Sequence, residues 1–240
     1  MAMGLYTSIP GFARWHEDCQ GWLATMLPLI GVLLGLLWWG IAEAAHALLP
    51  QLLAAVCVTL AIPLLTGFLH LDGYMDVSDA LLSRRPREDK LRILKDPHTG
   101  AFAVISLLAL FLLLLGAADG LLSGGLPLAA IIFLPIVSRS LAGWAMMSLT
   151  PISQSGYGRM SYEAATKGRR VFTLACLILS TACAFVFRWQ SGVACIIAAC
   201  AFALACWRAV RALGGMNGDV AGWSICWAEV AGLLALACLR

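Results

Sequence analysis

Residues 101–118 read Ala-Phe-Ala-Val-Ile-Ser-Leu-Leu-Ala-Leu-Phe-Leu-Leu-Leu-Leu-Gly-Ala-Ala, eighteen positions without a charged side chain. A run this long and apolar crosses a bilayer as a helix: about 20 such residues span the hydrocarbon, where backbone polar groups can bond only to one another. Similar runs lie outward of it on both sides, at 22–39, 48–69, 126–149, 171–187, 191–207 and 223–239. They predict an all-α, polytopic membrane bundle of about seven transmembrane helices, with 1–240 as a single transmembrane domain. The whole chain agrees, being 61% hydrophobic and only 12% charged with a mean hydropathy of +0.88, outside the range of water-soluble globular proteins. The runs 171–187 and 191–207 are short and separated only by Arg188-Trp189-Gln190, which leaves a re-entrant hairpin open there. The first twenty residues hold Arg14, His16, Glu17 and Asp18 without an apolar core, so no cleavable signal peptide is expected.

The placement of charge carries more information than its sum of +3, which offers no basic surface for nucleic acid and excludes it as a partner; the lipid bilayer is the expected surrounding. Segment 70–100 holds Arg84, Arg85, Arg87, Lys90, Arg92 and Lys95, segment 150–170 holds Arg159, Lys167, Arg169 and Arg170, and segment 208–222 holds Arg208 and Arg211. The connections 40–47 and 119–125 hold no Lys or Arg. By the positive-inside rule these three basic segments face the cytoplasm together with the N-terminus, leaving Arg188 and Arg240 outside. The stretch 84–95, opened by Pro86, reads as a short basic helix in the membrane interface. The nine cysteines form no C-x-x-C pair and read as small apolar residues rather than as metal or disulfide ligands.

Between the spans ending at 69 and starting at 101 lies His70-Leu71-Asp72-Gly73-Tyr74-Met75-Asp76-Val77-Ser78-Asp79, with three of the thirteen acidic residues of the chain. In a helix Asp72, Asp76 and Asp79 fall at i, i+4 and i+7 and share one face. Carboxylates so arranged beside hydrocarbon repel one another unless a cation bridges them. Hard oxygen donors suit Mg²⁺, which keeps water and takes phosphate oxygens from a substrate. The pattern therefore predicts a magnesium-dependent diphosphate site at the membrane surface, joined by Asp96; the bland alternative is a solvated loop balancing the basic helix. His70 stands about 160° around the helix from Asp72, which makes it a candidate proton acceptor or substrate contact rather than a ligand of the same ion. His98 has the same choice of roles.

Three further groups qualify. The glycine-rich Gly214-Gly215-Met216-Asn217-Gly218-Asp219 can bring backbone amides against a phosphate at Gly215 and Gly218, with Asp219 as a further ligand, or it is a plain interhelical turn. Arg139 and Glu229 lie inside predicted spans and need partners. Either they pair with each other, or Arg139 reaches a phosphate while Glu229 supports the metal. The polar stretch from Thr150 to Arg159 is either a flap that brings Arg159 to phosphate or a connector.

The run His70-Leu71-Asp72-Gly73 with Asp76 and Asp79, then the basic helix, then Lys95-Asp96 and Gly100, resembles the signature of the cobalamin synthase family, the adenosylcobinamide-GDP ribazoletransferases. Gly214-Gly215 with Gly218-Asp219 and Gly222 is similar to that family's second signature, and Pro28-Leu29-Ile30-Gly31 to its first-helix pattern. Together they cover most of the chain in the family's order. The chain departs from the pattern at Ala80 (family Gly), Asn217 (family Thr) and Cys226 (family Glu). The resemblance implies a multi-pass enzyme of the bacterial or archaeal inner membrane that joins α-ribazole, or its 5′-phosphate, to adenosylcobinamide-GDP with release of GMP, using Mg²⁺. It leaves open a homo-oligomer or association with other enzymes of cobamide assembly. On this reading Asp72, Asp76 and Asp79 hold the metal with Glu229, His70 acts in catalysis, and Asp96, Arg139, Arg159, Gly215, Gly218 and Asp219 contact substrate. Rival readings are a CDP-alcohol phosphotransferase or prenyltransferase, which also bind magnesium through aspartates, and a non-enzymatic transporter subunit.

Overall fold

The structure is a computed structural model that describes residues 1–9, 17–152 and 156–239, with backbone alone at 17–19. Arg14, His16, Arg240 and the Ser153-Gln154-Ser155 part of the polar loop lie outside the described residues. Among the described residues there is no strand, and a single parallel bridge joins Pro151 to Met216. The helices are α1 (Ala2–Tyr6), α2 (Leu23–Leu48), α3 (Gln51–Leu65), α4 (Leu69–Leu82), α5 (Arg87–Ile93), α6 (Ala101–Ser123), α7 (Phe133–Ser148), α8 (Tyr157–Glu163), α9 (Lys167–Phe187), α10 (Trp189–Leu213) and α11 (Gly218–Cys238).

Among the described residues six stretches are long and apolar enough to cross a membrane: Gln20–Leu48, Ala101–Ser123, Leu128–Ser148, Lys167–Phe187, Trp189–Leu213 and Gly218–Cys238. The protein is a multi-pass membrane protein. Large apolar side chains along the middle of outer helices, such as Leu108, Leu112, Ile178, Leu179 and Leu204, are exposed, as a hydrocarbon solvent requires. α9 and α10 are two full-length helices meeting at Arg188, whose backbone is extended (φ −160°, ψ 135°), rather than the two short limbs of a re-entrant hairpin.

The expected straight span at 48–69 is instead a bent pair: α3 and α4 meet at an angle of 91°. Pro63, inside α3, lacks the N–H that would continue the helical ladder. Gly67 and Phe68 then adopt left-handed backbone angles (φ 58° and 62°), which turns the chain. The last carbonyls of α3 are taken up locally or by the N-terminal segment. Phe68 N–H donates to Pro63 O at 2.8 Å, Ser8 N–H to Leu65 O at 2.8 Å, and the Ser8 hydroxyl to Leu64 O at 2.7 Å. These bonds satisfy the orphan end of α3 and pin α1 beside the start of α4.

α11 is the central helix, packed against α10, α4, α6 and α7. It is buried nearly all round, including Glu229. Arg139 on α7 has no exposed surface and forms an ion pair with Glu229. Arg139 Nη1 also donates to Ser138 Oγ at 3.0 Å, and that hydroxyl donates to Glu229 Oε1 at 3.3 Å. The first of the two sequence-level alternatives thus holds: the two charges face each other between α7 and α11.

Candidate active site

α4 buries Leu71, Gly73, Tyr74, Val77, Ser78, Ala80 and Leu81 on one side, and this apolar stripe drives it against α11 and α6. The acids occupy what remains, with Asp72 exposed and Asp76 and Asp79 half-buried. Two glycines set how closely α4 approaches α11. A β-carbon at Gly73 would stand 2.7 Å from Asp219 Cα, and one at Gly222 would stand 2.9 Å from the His70 carbonyl oxygen. The crossing is tied further by Trp223 Nε1–H donating to Ser78 Oγ at 3.1 Å and by Cys226 Sγ at 3.7 Å from His70 O. Cys226 is buried in this crossing and serves helix packing.

The consequence is that Asp219, 140 residues away in sequence, stands beside the α4 acids: Asp72, Asp219 and Asp79 all act electrostatically on Asp76. Asn217 fixes the newcomer. Its side-chain oxygen caps α11 by accepting from Val220 N–H at 2.9 Å, while its amide nitrogen donates to Asp219 Oδ2 at 2.7 Å. An acid in the first turn of a helix is also favoured by the helix dipole. Asp79 has a second neighbour, since its carboxylate occupies the space a β-carbon on Gly100 would need, at the N-terminus of α6. Substituting Gly222 by Ala forces backbone apart at this crossing; we expect a stability loss of roughly 1–3 kcal/mol from overpacking and a fall in turnover, read by thermal melting and activity of the purified variant.

Among the described residues the ion pairs are Arg92–Asp89, His98–Asp96, Arg139–Glu229 and Arg159–Glu163, so none of them includes Asp72, Asp76, Asp79 or Asp219. No group of three or more His, Cys, Asp or Glu among the described residues is gathered tightly enough to form a ready-made metal cage. What the four carboxylates present is an open set of hard oxygen donors.

Several predicted site residues lie elsewhere or do other work. Glu229 is ten residues along α11 from Asp219, about 15 Å at 1.5 Å per residue, and is engaged by Arg139; it is not a neighbour of the aspartates. Arg139 is correspondingly directed at Glu229 rather than at a phosphate. Gly215 is used for close packing: a β-carbon there would lie 2.7 Å from Thr150 O, because Met216 N–H donates to Thr150 O at 2.8 Å and Ile152 N–H to Met216 O at 3.0 Å. Arg159 lies on α8 with its Nε donating to Glu163 Oε1 at 2.6 Å. Asp96 is on the surface, where the His98 N–H at 3.0 Å and the His98 ring at 2.7 Å hold its carboxyl below the usual carboxylate range.

The structure brings His70, Asp72, Gly218 and Asp219 together at the wall of one cavity of about 250 Å³, whose other walls include Leu23, Leu27, Ala142, Met146 and Ile225. Leu5 and Tyr6 of α1 and Tyr157 and Met160 of α8 also line it. The hydroxyls of Tyr6 and Tyr157 are hydrogen-bonded to each other, and their rings meet edge-on with centroids 6.3 Å apart. Burial pushes both phenols up, so this contact stays uncharged at neutral pH. Sequence reading missed these tyrosines. They are 151 positions apart on two short helices, with no shared motif to link them.

The cobalamin-5-phosphate synthase family matches residues 1–237 of the chain. An adenosylcobinamide-GDP ribazoletransferase of Clostridium botulinum (strain Alaska E43) is 36% identical over 246 residues, covering 100% of this chain and 96% of the relative. Its counterpart in Clostridium perfringens (strain SM101) is 35% identical, covering 98% and 95%, and that of Desulfitobacterium hafniense (strain Y51) is 36% identical, covering 86% and 82%. No solved structure matches the chain significantly. With matching sequence along nearly its whole length and the signature acids of α4 set against Asp219 by the α4–α11 crossing, the chain belongs to the cobalamin-5-phosphate synthase family.

Proposed function

We propose that this chain transfers the phosphocobinamide group of adenosylcobinamide-GDP to α-ribazole or its 5′-phosphate, releasing GMP, as the names of its relatives indicate for them. The observation that carries this reading is that Asp72 and Asp219 line one cavity with His70, while Asp72, Asp219 and Asp79 all bear electrostatically on Asp76. In the reaction an acceptor oxygen attacks the phosphorus attached to cobinamide, the bond from that phosphorus to the bridging oxygen breaks, and GMP leaves with the electron pair. An acceptor hydroxyl resting at the polar wall of the cavity has His70, Asp72 and Asp219 as proton acceptors.

Four carboxylates outside any ion pair cannot by themselves attract a diphosphate, since like charges repel. Their donor chemistry fits Mg²⁺, an ion that keeps part of its water and is completed by substrate oxygens instead of a closed protein cage. Asp72 and Asp219, which share the cavity wall, would hold it together with water and the donor's phosphate oxygens, with Asp76 and Asp79 adding negative charge from α4; when bound, it supplies charge neutralisation on the phosphates and the departing GMP. The basic residues of 84–95, 150–170 and 208–211 share an end of the bundle with this site. By the positive-inside rule that supports a cytoplasm-facing site in the inner membrane.

Purified protein in detergent, given adenosylcobinamide-GDP and α-ribazole, is expected to release GMP in proportion to joined product and to stop when a chelator removes Mg²⁺. Release of CMP or inorganic diphosphate from the corresponding substrates, with no GMP, would replace this reading by one of the other membrane transferases.

A further inference from the structure

We infer that the 250 Å³ cavity under Tyr6 and Tyr157 holds the uncharged aromatic base of the acceptor nucleoside, with the sugar end turned toward Asp72 and Asp219; this rests on the transfer proposed above. The charge of the walls selects the occupant. Among the described residues that line it, the ionisable groups are Asp72, Asp219, His70 and the two tyrosines, with no Lys or Arg. With an ion at Asp72 and Asp219, the donor's phosphates belong beside those two residues, and the apolar remainder of the lining is left for an uncharged group. The remaining walls are Leu5, Leu23, Leu27, Ala142, Met146 and their apolar neighbours, which give a flat apolar ring dispersion contacts and no hydrogen-bonding demand.

The polar wall completes the fit. Carboxylates accept hydrogen bonds and donate none, so Asp72 and Asp219 can receive ribose hydroxyls, while His70 lies along the same wall. The hydrogen-bonded Tyr6–Tyr157 pair lines the same cavity and offers ring faces and edges to a flat base. At about 250 Å³ the cavity lies just below the usual range of whole-ligand sites, which leaves room for the base of a nucleoside and none for a corrinoid.

Ala142 lies on the cavity wall and is fully buried, so Ala142→Leu fills the space. Met160 of α8 is only partly buried, so Met160→Ala removes wall contact with little risk to folding. Initial rates with each substrate varied in turn are expected to show KM for α-ribazole raised about tenfold in both variants, with KM for adenosylcobinamide-GDP within twofold of wild type. Calorimetric binding of α-ribazole alone to wild-type protein should be lost in Ala142→Leu. Unchanged acceptor KM in a folded Met160→Ala, or a donor KM that moves instead, overturns the inference. If the wild type releases no GMP, the transfer reading fails, and the calorimetry still decides the cavity: absence of wild-type binding, or binding undiminished in the variants, refutes it.

Discussion

Asp76→Asn is expected to lower kcat/KM for GMP release by about a thousandfold or more, a loss near 4 kcal/mol of transition-state stabilisation, with the protein still inserted and folded. The substitution keeps shape and removes one charge from the middle of the set, since Asp72, Asp219 and Asp79 all bear on Asp76. A structural acid would behave differently on melting. If Asp76 served only packing, its loss would lower thermal stability. If it belongs to four carboxylates gathered for a cation, removing one relieves repulsion, and in Mg²⁺-free buffer the variant should melt at or above the wild-type temperature. Activity near wild type together with a lowered melting temperature would contradict the assignment.

The second large effect is on stability. Arg139→Met strips Glu229 of its cation inside the bundle, and Glu229→Gln strips Arg139 of its anion. Breaking a buried pair from either side costs about 3–5 kcal/mol, whereas replacing both charges is often close to neutral. Each single variant is therefore expected to lower the apparent melting temperature by roughly 10 °C, scaling at 2–4 °C per kcal/mol for a chain of this size. Arg139→Met combined with Glu229→Gln should recover at least half of the loss. This also separates the two sequence-level alternatives. A pair that only holds α7 to α11 gives two single variants of similar phenotype; a phosphate-binding Arg139 would give loss of activity in Arg139→Met with Glu229→Gln left active.

The spans were legible because hydrocarbon imposes one requirement on every membrane helix, and apolar length reports it directly. The acidic face of α4 was legible for a similar reason, since i, i+4, i+7 spacing needs only a helix. The bend between α3 and α4 was not, although Pro63 and Gly67 mark it in retrospect: a break in a span is set by who satisfies the freed carbonyls, and Ser8, more than fifty residues upstream, does so. The sequence also left Arg139 and Glu229 undecided between pairing and ligand roles, because the choice depends on the rotation of α7 relative to α11. Asp219 could be nominated from its glycine-rich context. Its position beside Asp76 follows from the Gly73 and Gly222 contacts across the crossing, which no local pattern encodes. The close approach of Gly215 to the Thr150 backbone was hidden for the same reason.

The central claim is that α4 and α11 contribute carboxylates to one site that shares a divalent ion with the donor's phosphates. Mn²⁺ in place of Mg²⁺, followed by electron paramagnetic resonance while adenosylcobinamide-GDP is added, reports that sharing without requiring turnover. The account predicts a bound-ion signal that strengthens with the donor in the wild type and is lost in both Asp76→Asn and Asp219→Asn. A signal that persists at wild-type strength in either variant would show that the two helices do not form a common site.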